Sequence, residues 1–293
     1  MKLFSLTWCL STLCLSLITA PAVAEETTRL MTYNIRYMNP RDGEDHWRHR
    51  VEEVARTIQQ ADIVGLQEAT RTQIDDLAAR LPEFDGYGLG RSDGGDKGEF
   101  SPLFWRRDRF TVSRKGTFWL GPDPQAIGVN AWGANLPRIC SWIEIHSKTG
   151  NQAWLLMNTH FDHQSALARE NSAKLLRRQA AELRGELPVV VMGDLNAAPE
   201  SKPLQTLLAN DLQGVPFVDS IALSAAKPEG PSGTFNGFKR LNLGGRIDFI
   251  LLSDPMANVT RHQTLDPRTP AGRFASDHQA VMITLTRGER SAE

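Results

Sequence analysis

The stretch Val189-Val190-Val191-Met192-Gly193-Asp194-Leu195-Asn196 shows how this chain is organised: a short apolar run ends in a glycine and then in polar side chains. Consecutive β-branched residues, bounded by Pro188 and a Gly-Asp turn, are typical of a buried β-strand. Similar runs recur along the chain, and each is predicted to be a strand. They are Arg29–Arg36, Asp62–Gln67, Pro102–Arg106, Arg138–His146, Ala153–His160, Pro188–Gly193, Ile247–Ser253 and Val281–Thr286.

Helical periodicity appears between some of these strands. Apolar residues recur at helical spacing in His46–Gln60 and in Ser165–Leu183, and a further helix is predicted to begin near Thr70. Many strands and few helices indicate sheets packed against each other with helices outside, rather than a strictly alternating parallel fold. No repeat or long linker divides the chain, so a single domain is expected.

The first residues resemble a secretory signal peptide. Lys2 precedes the uncharged, mostly apolar stretch Leu3–Ile18, and Ala22-Val23-Ala24 offers small residues at a cleavage site. A membrane anchor is the alternative, but the apolar stretch is short for a span. The sequence therefore predicts export to the periplasm or the medium, removal of residues 1–24, one domain over residues 25–293, and no stable membrane insertion after cleavage.

Composition limits the class of protein. Cleavage would leave Cys140 as the one cysteine, so no internal disulfide can form and the fold has to be held by its core. The formal net charge of −1 argues against a general nucleic-acid coat protein, which would be basic. It does not exclude a nuclease that contacts a few phosphates. The protein is expected to be a monomer.

Six of the strand-like runs end in, or begin from, groups that can bind a metal ion or transfer a proton. Such strand ends are where a rigid scaffold displays functional groups. Each motif alone is also a common turn or cap, and it is their joint occurrence that indicates a site. They are Tyr33-Asn34-Ile35-Arg36, Gly65-Leu66-Gln67-Glu68, Asn158-Thr159-His160, Gly193-Asp194-Leu195-Asn196, Arg246-Ile247-Asp248 and Ser276-Asp277-His278.

The order of these groups resembles the endonuclease/exonuclease/phosphatase superfamily from Arg29 to Thr286. In detail, Gly98–Trp105 and Asn158–His163 look like a bacterial branch of uncharacterised exported members. The resemblance implies an α/β (α+β) fold: a four-layer sandwich of two mainly antiparallel β-sheets flanked by α-helices. It also implies hydrolysis of a phosphoester at one edge of the sandwich, and it leaves the substrate open.

A hard cation would relieve charge on the phosphoryl oxygens, and hard cations prefer oxygen ligands. Glu68 is the first predicted ligand, with Asn34 beside it, and Asp277 and Asp248 are expected to contribute directly or through water. Mg²⁺ is the expected ion and Mn²⁺ the alternative. Zinc is disfavoured because no cluster of Cys and His has zinc-like spacing.

The remaining residues are predicted to act either on the attacking water or on the phosphate. Asp194 is predicted to orient and deprotonate the attacking water, with Asn196 positioning that water or the phosphate. His278 is predicted to contact the scissile phosphate. The resemblance implies that Asp248 pairs with His278 and favours the imidazolium.

The resemblance also implies that His160 is a second histidine facing the phosphate, with Glu99 as its carboxylate partner. The alternative for Glu99 is a solvated acidic loop together with Asp93 and Asp96. Arg138 is either a phosphate clamp, through its planar fork of donors, or half of a surface ion pair.

Asp162 and His163 extend the His160 motif and either line a substrate pocket or begin the following helix. Three tryptophans either stack on a base or a sugar of the substrate or pack in the core. They are Trp47, Trp119 and Trp132.

The sequence predicts first a phosphodiesterase that uses a metal- and Asp-activated water. A DNase- or RNase-type nuclease and a phosphate monoesterase are the alternatives, so the partner is a phosphoester, either a small molecule or a nucleic acid. A phosphate-binding protein that has lost catalysis would predict a gap at Glu68, Asp194 or His278, and none is missing.

Overall fold

The computed structural model describes residues 27–211, 213–255 and 257–286. The predicted signal peptide, residues 1–24, lies outside this part of the chain. The strands of the described residues are, in chain order, β1 (Thr27–Asn34), β2 (Ile63–Gln67), β3 (Phe84–Tyr87), β4 (Leu103–Arg106), β5 (Phe110–Trp119), β6 (Ile139–Ser147), β7 (Ala153–His160), β8 (Val189–Asp194), β9 (Val218–Asp219), β10 (Asp248–Leu252), β11 (Asn258–Leu265) and β12 (Ala280–Thr286).

Helices connect these strands, and local sequence explains where two of them begin. The Thr70 side chain accepts a hydrogen bond from the backbone N–H of Gln73, and the Gln73 side chain accepts one from the backbone N–H of Thr70. Ser165 likewise accepts one from the backbone N–H of Ala168. Two short 3₁₀ turns, Gly43–Asp45 and Trp47–His49, precede the first helix. The α-helices are α1 (Val51–Ile58), α2 (Arg71–Arg80), α3 (Ala166–Leu183), α4 (Lys202–Leu208) and α5 (Ser220–Leu223).

The eight predicted strands are all present, with ends that differ by at most two residues. The helix predicted over Ser165–Leu183 corresponds to α3, and the one over His46–Gln60 is shorter because its first residues form 3₁₀ turns. Edge strands such as β9 and β11 were not predicted. None of the described helices is long and apolar enough to cross a bilayer.

The strands form two six-stranded sheets, in the orders β11-β12-β1-β2-β4-β3 and β5-β6-β7-β8-β10-β9. Each sheet contains one parallel pair, β1 with β2 and β7 with β8, and its other neighbours are antiparallel. The expected pair of stacked sheets with flanking helices is therefore confirmed. The sheets are mixed rather than purely antiparallel.

Three hydrophobic cores give the fold its four layers. One lies between the first sheet and α1 and α2, a second between the second sheet and α3 and α4, and a third between the two sheets. Gly65 lies at a close approach of the two sheets, since a Cβ there would come within 2.7 Å of Asn158 and Met192. Asn158 also accepts a buried hydrogen bond of 2.7 Å from Gln67 across the two sheets.

The parallel pairs explain why the polar strand ends meet. Parallel neighbours end at the same edge of a sheet, so Asn34 lies near Glu68 and His160 lies opposite Asp194. Antiparallel neighbours begin where those strands end, so Asp248 pairs directly with Asp194. Because β1 packs against β8 and β10, the two sheet edges come together.

Candidate active site

The backbone is strained where the functional strands end. Glu68, directly after β2, has a φ of 61°, and Asn196, shortly after β8, has a φ of 45°. Side chains other than glycine rarely adopt such values, and each typically costs about 1–3 kcal/mol. Strain at both positions in one site indicates that the side-chain directions matter there.

The Asp194 carboxylate lies at the centre of the site and is fully enclosed. Its Oδ2 accepts a hydrogen bond of 3.0 Å from Asn34 Nδ2. The same oxygen lies 3.5 Å from His160 Nε2 and 3.7 Å from His278 Nε2. Its Oδ1 accepts the backbone N–H of Asn196 at 2.9 Å. One carboxylate therefore links residues from both sheets.

His278 is held by Asp248. Its Nδ1 lies 2.9 Å from Asp248 Oδ2, and both side chains are buried. The Phe235 ring packs edge-on against the imidazole, with ring centroids 5.1 Å apart. Thr234 Oγ1 accepts the backbone N–H of Asp248 at 3.2 Å. These contacts fix the ring with its Nε2 towards Asp194.

The surroundings set the proton positions of this group. Burial raises the pKa of Asp194 to about 7, and the charge of Asp248 adds to the effect. Burial alone would lower the pKa of His278, but the carboxylates of Asp248 and Asp194 outweigh it and raise that pKa well above its usual value. Near neutral pH, His278 is therefore an imidazolium, and Asp194 is a stronger base than an exposed carboxylate.

His160 has the opposite character. Burial and the positive charges of Arg138 and Arg91 hold its pKa well below the usual value, so the ring is neutral. Asn196 Nδ2 donates to His160 Nε2 at 3.0 Å, which places the ring proton on Nδ1. That Nδ1 is buried and has no hydrogen-bond partner among the described residues.

Glu99 is not a solvated loop residue. It forms two parallel hydrogen bonds of 2.9 Å with the Arg91 guanidinium, whereas its Oε2 is 4.0 Å from His160 Nδ1. Burial raises the pKa of Glu99 despite the charge of Arg91. Asp93 and Asp96, the other members of the suggested acidic loop, are exposed. The histidine and the carboxylate are thus neighbours, but the carboxylate's direct partner is Arg91.

Arg138 is buried, so the surface ion pair weighed for it is wrong. Its Nε donates to Asp162 at 3.3 Å, and its Nη2 lies 2.9 Å from His163 Nδ1. Its Nη1 is buried without a partner in the described part of the chain. Asp162 also accepts the backbone N–H groups of Gln164 and Ser165, so this residue both fixes the turn that precedes α3 and orients Arg138.

Glu68 and Asp277 form an oxygen-rich group that suits a divalent cation. The Glu68 oxygens accept hydrogen bonds from Asn34 Nδ2 and from the backbone of Tyr37, each at 3.1 Å. Burial raises the pKa of Asp277, and the charge of Glu68 raises it further, although Arg36 lies 3.7 Å away. A cation would offset this repulsion, and hard oxygen donors suit Mg²⁺ or Mn²⁺.

Asn34 belongs to this group as a donor in the present arrangement. Its amide nitrogen faces Glu68 and Asp194, and its oxygen accepts the backbone N–H of Arg36 at 3.0 Å. It would become an oxygen ligand only after a rotation of the amide that breaks the bond to Arg36.

A second group also has metal-ligand spacing. One atom each of Asp194, Asp248 and His278 lie within 4.8 Å of one another. The hydrogen bond between His278 Nδ1 and Asp248 already occupies that ring nitrogen. Two of the three residues thus form a proton-sharing pair, which makes this group the weaker candidate for a hard cation.

Two of the three tryptophans belong to the core. Trp47 and Trp119 are buried, and Trp119 Nε1 donates to the backbone oxygen of Arg91 at 2.8 Å. Trp132 is half-buried. Arg91 and Arg36 border the site without having been predicted to do so. Arg36 is the last residue of the strand-end motif Tyr33–Arg36, whereas no local pattern distinguishes Arg91 from other loop arginines.

Known proteins share this arrangement of strands over almost the whole chain. A family model described as Endonuclease/Exonuclease/phosphatase family matches residues 31–278. An endonuclease/exonuclease/phosphatase from Bacteroides vulgatus is 36% identical, with a TM-score of 0.83, and the match covers 89% of this chain and 99% of that one. No curated protein is significantly similar to this chain in sequence.

Two structures from Bacteroides thetaiotaomicron are comparably similar. An endonuclease/exonuclease/phosphatase family protein is 33% identical with a TM-score of 0.82, covering 90% of this chain and 99% of that one. A mannosyl-6-phosphatase is 34% identical with a TM-score of 0.80, covering 88% of this chain and 99% of that one.

Proposed function

The chain belongs to the endonuclease/exonuclease/phosphatase family, and we propose that it is a divalent-cation-dependent phosphoester hydrolase acting on small molecules. Members of this family are phosphoester hydrolases. The observation that carries the proposal is the Asp194 carboxylate, enclosed between Asn34, His160 and His278 at the shared edge of the two sheets. Glu68 lies beside this carboxylate, since both accept a hydrogen bond from the Asn34 amide.

The cation is proposed to be Mg²⁺, with Mn²⁺ as the alternative, held by Glu68 and Asp277 and by Asn34 after its amide rotates. When bound, it would neutralise negative charge on the phosphoryl oxygens. The buried carboxylates supply the donors, and Arg36 balances part of their charge.

Asp194 is proposed to act on the attacking water. Its Oδ2 takes the proton as the water oxygen forms a bond to phosphorus, and Asn34 and Asn196 hold the carboxylate in place. The leaving oxygen departs with the bonding electron pair and takes up a proton from the surrounding water. A buried carboxylate with a pKa of about 7 is a suitable base near neutral pH.

The phosphoryl group is proposed to lie between the two histidines. His278, charged and fixed by Asp248, donates from Nε2 to a non-bridging oxygen, while the unpartnered Nη1 of Arg138 is free to bind another. His160 presents a neutral ring beside Asp194. Preorganised donors of this kind act where charge develops in the transition state.

The first candidate reaction is hydrolysis of a phosphodiester, as the sequence predicts. Hydrolysis of a phosphomonoester is the second candidate, favoured by the similarity to the mannosyl-6-phosphatase of Bacteroides thetaiotaomicron. A nucleic-acid substrate is less favoured because the net charge is close to zero. Export of the protein remains a prediction from residues 1–24.

Purified protein is expected to hydrolyse bis(p-nitrophenyl) phosphate with Mg²⁺ or Mn²⁺ and to lose this activity in EDTA, because the chelator removes the cation that would neutralise charge on the phosphoryl oxygens. Initial rates on this diester, p-nitrophenyl phosphate, mannose phosphate and single-stranded DNA measure the preference. Activity on monoesters alone would select the second candidate. Activity that survives EDTA would contradict the proposed chemistry.

Glu68→Gln is expected to weaken Mn²⁺ binding by at least about 10–100-fold, the loss typical of residues that only orient a metal ligand, because an amide supplies one neutral oxygen in place of a carboxylate. Titration calorimetry or electron paramagnetic resonance of Mn²⁺ measures this without activity. Glu52→Gln, an exposed carboxylate paired with Arg80, is the control and should bind normally. Loss of binding in His278→Gln but not in Glu68→Gln would place the cation beside Asp194, Asp248 and His278 instead.

A further inference from the structure

The connection between β5 and β6 forms one wall beside the proposed site. This wall, residues 121–137, is attached at both sides to segments that carry site residues. On one side Gly128 packs against the backbone of Ser92, next to Arg91. On the other side the backbone oxygen of Trp132 accepts a hydrogen bond of 2.7 Å from Ser165, three residues after Asp162. The wall is therefore anchored to the two segments that carry Arg91 and Asp162.

The exposed surface of this wall combines large apolar side chains with polar ones, among them Gln125, Asn130 and Asn135. Of the seven large hydrophobic side chains that are exposed in the described residues, four lie here or on the adjoining first turn of α3. They are Ile127 (55% exposed), Val129 (53%), Leu136 (41%) and Leu167 (59%). Asp123 is the one charged residue in the wall. Exposed apolar side chains that form one contiguous patch mark a binding surface.

We infer that this wall receives an uncharged, apolar part of the substrate, so that the substrate is a soluble phosphoester bearing an alkyl or aryl group. The inference rests on the proposed function, because Arg138, which directly follows the wall in the chain and contacts His163, is proposed to bind the phosphoryl group.

The absence of Lys and Arg from the wall favours an apolar part of the substrate over a nucleic acid or a membrane. A nucleic-acid strand would need cationic side chains along its backbone, and the wall has none. A membrane-binding surface usually combines apolar residues with Lys or Arg that attract anionic lipids, and these too are absent from the wall. A small apolar group needs only the exposed aliphatic side chains.

The test compares substrates that share the same reacting phosphate and differ only in the length of one alkyl group. Methyl and hexyl esters of p-nitrophenyl phosphate differ only in the apolar group, and the kcat/KM for p-nitrophenol release is measured with Mg²⁺. Full burial would give about fourfold for each methylene, so partial contact is expected to favour the hexyl ester by roughly tenfold or more. If only monoesters are cleaved, methyl and hexyl phosphate replace the diesters, with phosphate release as the readout.

The double variant Ile127→Ser, Val129→Ser is expected to remove most of the preference for the hexyl group and to leave the methyl ester nearly unchanged. Leu208→Ser, a partly exposed leucine on α4, is the matched control and should keep the preference. Equal rates for both chain lengths in the wild type, or an equal loss in the control, would overturn the inference.

A binding measurement can test this inference independently of the proposed hydrolase activity. Calorimetry with methylphosphonate and hexylphosphonate measures chain preference without hydrolysis. Tighter hexylphosphonate binding that is lost in the double variant, in a protein that hydrolyses no ester, would refute the hydrolase and retain the apolar surface. Preferential sedimentation with phosphatidylcholine vesicles, lost in the double variant, would instead assign the wall to a membrane and overturn the inference.

Discussion

Asp194→Asn is expected to lower kcat for phosphoester hydrolysis by about 10²–10⁴-fold, the range for loss of a general base. The asparagine keeps the shape of the side chain and an oxygen for the hydrogen bond from Asn34, but it cannot take a proton from water. Because the change removes a base rather than a binding group, KM is expected to change much less than kcat. Steady-state kinetics on bis(p-nitrophenyl) phosphate at saturating Mg²⁺ measure both.

The same variant is expected to fold at least as well as the wild type. Ionised Asp194 is buried beside Asp248, and its raised pKa shows that the folded protein disfavours that charge. Thermal melting should therefore give an unchanged or higher Tm. Asp85→Asn, at an exposed carboxylate paired with Arg107, is the control that should retain full activity. A fully active, stable Asp194→Asn protein would contradict the proposed role.

Asp248→Asn and His278→Gln are each expected to lower kcat by roughly 10²–10³-fold, as does the loss of one preorganised donor to the reacting group. The two residues act as a unit, since Asp248 fixes the ring and maintains its positive charge. The double variant should therefore be about as impaired as the worse single variant, rather than impaired by the product of the two effects. The measurement is kcat for the wild type, the two single variants and the double variant, which together form a double-mutant cycle. Stopped-flow detection of p-nitrophenol is used for the wild type.

His146 offers a matched control, because it also pairs with a carboxylate, Glu144, at 3.2 Å but lies on the surface. His146→Gln should leave kcat unchanged. If the fold-losses in kcat caused by Asp248→Asn and His278→Gln multiply in the double variant, the two residues act independently. Their pairing would then be incidental to catalysis.

The strand positions were predictable because their signal is local. In Val189–Asp194, β-branched residues and a following glycine indicate a buried strand without knowledge of its neighbours. The grouping of Asn34, Glu68, His160, Asp194, Asp248 and His278 could also be expected, since each stands at a strand end. The resemblance to a known family supplied what strand ends alone do not, namely which ends meet.

The pairings inside the site could not be read from the sequence. Glu99 was expected to face His160, yet its two oxygens bind Arg91, which lies eight residues earlier in the same loop. Asn34 was expected to be a ligand, yet its nitrogen bridges two carboxylates. Each outcome depends on which donor lies nearest to the carboxylate in the folded protein.

Local sequence was enough to locate the strands and the polar groups at their ends, because hydrophobic periodicity and strand-end position are properties of short segments, and the family resemblance implied the four-layer fold. The hydrogen-bond partners, the charge of each histidine and the position of the wall of residues 121–137 emerge only in the folded protein. Those properties depend on distances and burial between segments far apart in the chain, and a change of about one ångström is enough to exchange one partner for another.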